Sequence, residues 1–229
     1  QVIILDRPNP NAHYIDGPVL EHAHASFVGM HKVPVVYGMT IGEYGKMING
    51  EKWLKNGIQC NLKVIPLENY NHQKVYNLPI KPSPNLPNDK SINLYPSLCF
   101  FEGTNVSAGR GTAMQFQIYG SPYLTKKAFS FTPQANEGSK YPKYKNKICF
   151  GEDLRTAENL NKLDLSFLLK AYKQNTSEKF FNTFFTKLAG TKKLQKQIEQ
   201  GLLEEEIRKT WVEDIISFKE IRKKYLIYK

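Results

Sequence analysis

An apolar run, a capped helix and a second strand follow one another in the first third of the chain. That rhythm leaves few folds open. Val2 to Leu5 is continuously apolar and stops at Asp6-Arg7-Pro8. Such a run reads as a central, parallel strand with Asp6 and Arg7 at its carboxyl end. Thr40 is followed three residues later by Glu43, the pattern of a capping box. Ile41, Tyr44, Met47 and Ile48 then recur at helical spacing, which predicts a helix of about ten residues. Cys60 to Pro66 alternates and predicts the next strand. Strand, helix and strand in this order make layered α/β structure. Short strand-like pieces at Phe27–Gly29 and Pro34–Val36 lie between.

Ligands bind outside the carboxyl ends of strands in open α/β sheets, which makes Asp6 and Arg7 candidates for substrate contact. A simple turn closing the strand uses the same residues. Glu43 caps its own helix, and a substrate contact at that helix start is the alternative. His13, His22, His24 and His31 fall within about twenty residues. His22 and His24 do not share a helix face and no carboxylate spacing supports them, so ordinary loop histidines are expected rather than a metal.

From Glu68 to Asp89 the composition turns to Asn, Pro, Tyr and Lys, and five prolines fall between Pro79 and Pro96. A passage of that length without regular structure marks a linker or a functional loop. The domain boundary is placed there, giving 1–75 and 76–229. Ser83 and Asn85 sit between prolines, which suits preorganised ligand contacts as well as a plain turn.

Beyond it, Phe100 to Thr112 reads FFEGTNVSAGRGT. The apolar run Leu98–Phe101 predicts a buried strand that feeds a functional loop. Glu102 is a carboxylate in a glycine-rich setting. Arg110 stands between Gly109 and Gly111, a fork suited to a carboxylate or phosphate. A glycine-rich turn with a structural Glu–Arg pair is the bland reading. Met114–Tyr119 and Ala128–Thr132 alternate like strands, and Ile148–Phe150 leads to Glu152 and Asp153. Sequential strands of this kind predict an antiparallel or mixed sheet. The C-terminal third is helical by periodicity. Leu165 to Tyr172, the aromatic stripe Phe180 to Leu188 closed by Gly190, and Ile207 to Phe218 on one final helix carry that pattern.

The formal net charge of +11 raises nucleic acid as a partner. No run of five basic residues and no nucleic-acid motif occurs, so an anionic polymer such as a cell wall fits equally well. Cys60, Cys99 and Cys149 are far apart and lack metal spacing, so buried free thiols are expected. No stretch is apolar over the roughly 18 residues of a membrane span. The opening QVIILDRP has no signal peptide and starts inside a strand, so the expectation is that further sequence lies upstream.

LDRPNP (5–10), YGMTIGE (37–43), PSPNLP (82–87), YPSLCFFEGTN (95–105), KNKICFGEDLR (145–155) and FKEIRKKYLIY (218–228) come in the order and spacing of one family. By these stretches the chain resembles the DUF1343 family, known as exo-β-N-acetylmuramidases of peptidoglycan turnover. Two positions depart from it. The family often has His where Tyr37 stands, and often an acid where Ala108 stands. The resemblance implies a partial Rossmann-like domain followed by an α+β domain with a helical C-terminal third. It also implies a further N-terminal α/β stretch and an exported or periplasmic protein. It implies a glycoside hydrolase that releases terminal N-acetylmuramic acid, with its site between the two domains. Glycoside hydrolysis ordinarily uses two carboxyl groups. Glu102 is the candidate acid, Asp153 the second carboxylate and Asp6 the third choice, with the expected upstream stretch as another source of the second group. Arg110 is assigned to the lactyl carboxylate of muramic acid, and Asn85 and Asn105 to hydroxyls or the acetamido group. No cofactor and no metal is expected, and the partner is a peptidoglycan-derived saccharide. The alternative is a non-catalytic saccharide-binding protein, which the absence of an acid at Ala108 keeps open.

Overall fold

The structure is a computed structural model that describes residues 1–125 and 128–228. Strands β1 (Val2–Leu5) and β4 (Leu62–Ile65) pair in parallel, Val2 opposite Leu62 and Leu5 opposite Ile65, but β1 is not the central strand expected: the sheet has two strands among the described residues, and Val2, Ile3 and Leu5 are exposed. Helix α1 (Ile41–Gly50) is the crossover between them and packs on both. Its capping box is formed as the sequence predicts: Thr40 Oγ1 accepts from the Glu43 amide, and Glu43 accepts from the Thr40 amide. Between β1 and α1, β2 (Asp16–Val19) and β3 (Pro34–Val36) form an antiparallel pair. Phe27–Gly29, expected as a strand, is instead a tight turn closed by reciprocal backbone bonds between Ser26 and Gly29.

The proline-rich passage contains turns up to Asn88, which caps α2 (Asp89–Leu98). Asn88 and Ser91 form a second capping box. The run Leu98–Phe101 is therefore not a strand. It is the end of α2 continued by a 3-10 turn at Cys99–Gly103. A short apolar run does not by itself separate a strand from a buried helix end. The Asn88 cap, ten residues upstream, decides it here.

A three-stranded antiparallel sheet follows, in the order β5 (Ile118–Ser121), β7 (Cys149–Asp153), β6 (Ser130–Phe131). It is shorter than the alternating patterns predict. Helices α3 (Ser166–Gln174), α4 (Phe185–Ala189), α5 (Lys193–Glu199), α6 (Glu204–Lys209) and α7 (Val212–Lys223) complete the chain. The expected single helix over 207–218 is two, broken at Thr210-Trp211.

The main core gathers Leu94, Leu98, Phe100, Phe101, Tyr119 and the apolar faces of α3 to α7. A smaller cluster of Met39, Met47 and Phe218 fastens α7 to α1. Arg208 of α6 ties that helix to β2 and to the segment before α3, donating to Asp16 Oδ2 at 2.7 Å and to the Leu163 carbonyl at 2.9 Å. The C-terminal tail returns to the first strand, where Tyr228 and Ile227 meet Asp6 and Glu43. All three cysteines are free thiols, Cys99 and Cys149 buried and Cys60 half-buried. No helix among the described residues is long and apolar enough to cross a membrane.

Candidate functional site

Glu102 reaches the surface because of the 3-10 turn. At about three residues per turn, residues i and i+3 share a face. Phe100 and Phe101 point into the core and are fully buried, while Cys99 and Glu102 share the other face. Tyr95, one α-turn earlier, extends that face. The three residues line a groove of about 700 Å³ whose opposite wall comes from residues 4–48, including His31, Tyr37 and Tyr44. Burial is the main cause that pushes the Cys99 thiol up to about 12 and raises the Tyr95 phenol, with Glu102 adding to both. Neither ionises near neutral pH.

Glu102 also borders a second, smaller cavity of about 250 Å³ with Ser107, Ala108, Arg110, Ser139, Tyr141 and Lys143. Arg110 Nη1 donates to Glu102 Oε1 at 2.6 Å. Its guanidinium is presented by Gly109 and Gly111, with φ of 76° and 83°. L-residues rarely adopt that region. Arg110 Nε is buried and has no hydrogen-bond partner among the described residues. Lys143 donates to the carbonyls of Phe101, Thr104 and Val106, at 3.0, 2.5 and 2.9 Å. Burial pulls its ammonium down to about 8. The cavity thus presents one carboxylate, two cations, two hydroxyls and a phenol. Ala108, where the family resemblance leads one to look for an acid, is in its wall.

The other expected site residues fall elsewhere. Asp153 ends β7 and is held by its neighbour, with Arg155 Nε at 3.0 Å and Nη2 at 2.7 Å. That ion pair keeps its carboxyl below the usual range. Asp153 lines neither space beside Glu102. Asp6 is buried and fully engaged: it accepts from Thr40 Oγ1, Tyr228 Oη and the amides of Arg7 and Gly42. Glu43 is 0% exposed and accepts from His72 Nε2 and the amides of Thr40, Ile227 and Tyr228. Both carboxylates hold the fold together. Arg7 is exposed beside them. Ser83 Oγ accepts from the Asn85 amide in a local turn. Asn85 donates to the Gly138 carbonyl at 2.7 Å and so anchors the turn that carries Ser139 to the cavity. Asn105 donates to Asn175 Oδ1 and the Lys179 carbonyl. Sequence reasoning paired Glu102 with Arg110 but missed Lys143, Ser139 and Tyr141. The single available signal was the lysine- and tyrosine-rich stretch 141–147, which carries no motif.

Comparison with known proteins fits this layout. Residues 1–90 match the family profile "Exo-beta-N-acetylmuramidase NamZ, N-terminal", and residues 93–228 match its C-terminal counterpart. The chain belongs to the NamZ (DUF1343) family. Among NamZ relatives, the peptidoglycan beta-N-acetylmuramidase NamZ of Bacillus subtilis (strain 168) is 33% identical over 99% of this chain. The chain spans 59% of that relative's length. A crystal structure of a DUF1343 family protein from Bacteroides fragilis NCTC 9343 superposes with a TM-score of 0.97 at 47% identity. It is matched by the whole of this chain, which covers 66% of it. A second DUF1343 protein of the same strain, 23% identical with a TM-score of 0.79 over 99% of this chain and 66% of its own, shares the fold.

Proposed function

We propose that this chain provides the catalytic face of a glycosidase that removes terminal N-acetylmuramic acid from peptidoglycan fragments. One observation carries the reading. The Glu102 carboxyl stands where the long groove meets the polar cavity, within 2.6 Å of Arg110. The names of the matching family and of the Bacillus subtilis relative supply the substrate class. In this reading the sugar lies in the groove between the two halves of the chain. Glu102 acts as general acid on the glycosidic oxygen. Arg110 exchanges its bond to Glu102 for the lactyl carboxylate, and its unpartnered Nε supplies the second prong of a two-point contact. Ser107 and Ser139 are placed for sugar hydroxyls.

A saccharide-binding protein without turnover is the second reading. It is favoured by one fact: Glu102 is the lone carboxylate among the described residues lining the two spaces. Two-carboxylate hydrolysis uses a partner about 5 to 9.5 Å away. A disaccharide with N-acetylmuramic acid at its non-reducing end separates the readings. Release of free N-acetylmuramic acid supports the glycosidase. Saturable binding without release supports the binder.

A further inference from the structure

Resting on the glycosidase reading, we propose that Lys143 is the positioning residue of the Glu102 site. Its ammonium ties residues 101–106 into one shape and so fixes where the Glu102 carboxyl points. No sequence motif marks this lysine, and no carboxylate among the described residues lies within ion-pair distance of it.

An ammonium has three donors and no acceptor. Lys143 Nζ places all three on backbone carbonyls, those of Phe101, Thr104 and Val106. These carbonyls bracket Glu102. Two of the intervening ones are taken by other groups: Gly103 by the Asn182 amide at 2.9 Å, Asn105 by Tyr144 Oη at 2.7 Å. Buried backbone carbonyls are almost always paired. Of the three that Lys143 meets, only the Phe101 carbonyl finds a further donor among the described residues, the amide and hydroxyl of Thr104 at 3.1 and 3.0 Å, while the Thr104 and Val106 carbonyls take theirs from Lys143. The turn bearing Lys143 is also pressed on the far end of the loop, because Pro142 packs against Gly111 beside Arg110. One turn therefore sets both members of the Glu102–Arg110 pair.

The arrangement requires the charged form. A neutral amine has two hydrogens and a lone pair, so one of the three carbonyls loses its bond from Lys143 and faces that lone pair. The groups around the amine are the Glu102 carboxylate, the Arg110 guanidinium and the phenol of Tyr141, with Tyr144 on the next residue. Burial lowers the ammonium to about 8, Glu102 opposes that shift and Arg110 adds to it. Order in the 101–106 segment should then decline as pH rises through about 8.

The test uses the protein and its Lys143→Met and Lys143→Ala variants. Amide hydrogen exchange at residues 104–106 and turnover of the muramic-acid-terminated disaccharide are both measured. Positioning predicts faster exchange at these amides in both variants. It predicts a kcat lower by about 100-fold, the scale of a displaced catalytic group, with KM within a few-fold. Added methylammonium should restore part of the turnover to Lys143→Ala. Unsubstituted protein should lose kcat above about pH 8 and, at the same time, lose protection at these amides relative to their intrinsic exchange rate at each pH. Unchanged protection in the variants, or a flat pH profile of both protection and kcat in the unsubstituted protein, overturns the proposal even if a variant folds poorly. Absence of any turnover by unsubstituted protein sinks the glycosidase reading instead. The exchange data then still decide whether Lys143 orders the loop.

Discussion

The hydroxyl of Tyr228 donates to Asp6 Oδ2 at 2.7 Å, joining residues 222 positions apart in the chain. The same oxygen accepts from the Leu67 amide at 2.8 Å. The C-terminal tail is thereby a bolt across the carboxyl end of β1 and the strand exit of β4. Burial first, and the bond to Asp6 second, raise the phenol and keep it a donor. Tyr228→Phe leaves the Leu67 amide without its partner and takes one donor from a buried carboxylate. Unsatisfied buried groups cost about 1 to 3 kcal/mol each. Urea unfolding should show a lower midpoint with an unchanged slope. A loss below about 0.5 kcal/mol, the range of an ordinary surface change, would mean that the tail does not secure the fold.

Glu43 makes the same join sensitive to acid. Burial opposes its charge, yet the bond from His72 and the amides of Thr40, Ile227 and Tyr228 hold its carboxyl below the ordinary 4.5. A depressed folded-state value means that the stabilisation is fully present above about 4.5. It is lost as pH falls through the folded value. Stability should therefore decline with acid below pH 4.5, the C-terminal tail being released first. Glu43→Gln brings an amide NH₂ against these donors, lowers stability at neutral pH and flattens the acid limb. Thermal melts from pH 3 to 7 on both proteins check this, and parallel curves would remove Glu43 from the explanation.

These two carboxylates show where sequence reading stops. Thr40-x-x-Glu43 was legible as a capping box because both partners are local, and Glu43 does cap α1. Its other oxygen is taken by residues 227 and 228, and Asp6 by residue 228. Nothing near residues 6 or 43 in sequence announces those partners. The parallel pairing of β1 with β4 was legible for the opposite reason, since a strand–helix–strand unit is a local pattern. The contact between Glu102 and Arg110 was legible as the bland reading of this loop, a structural pair only eight positions apart. Lys143 was not, because one lysine among many becomes informative only when three carbonyls converge on it.

Gly111 tests whether the loop backbone controls the site. Its φ is 83°, and a Cβ there would lie 2.6 Å from the Gln134 carbonyl and from Pro142 Cβ. Gly111→Ala adds steric conflict to a strained backbone region that costs on the order of 1 to 3 kcal/mol. Pro142 must shift, and Lys143 with it. Gly201→Ala is the control, with φ of 75° and nothing within 4 Å of the added methyl. Both variants should melt lower, but Gly111→Ala alone should weaken saccharide binding. Equal binding by the two would show that the site tolerates movement of this turn.

Glu102 and Arg110 should fail in different ways. Glu102→Gln keeps the size and part of the hydrogen bonding to Arg110 but removes the transferable proton. General acid–base groups contribute about 100- to 10,000-fold in rate. Turnover should fall by that order while the muramic-acid-terminated disaccharide still binds. Arg110→Lys keeps the charge but loses the planar fork. It should chiefly weaken binding of ligands that carry the lactyl carboxylate. An N-acetylglucosamine-terminated analogue lacks that group and should be nearly indifferent to the change. If the pair were only a brace for the loop, both substitutions would lower the melting temperature together and impair both ligands alike. Kinetics, titration with the two saccharides and thermal melts on each variant distinguish these patterns. A folded Glu102→Gln protein with near-normal turnover would exclude Glu102 as the acid and return that role to Asp153 or Asp6, each of which would first have to leave the partners that hold it here.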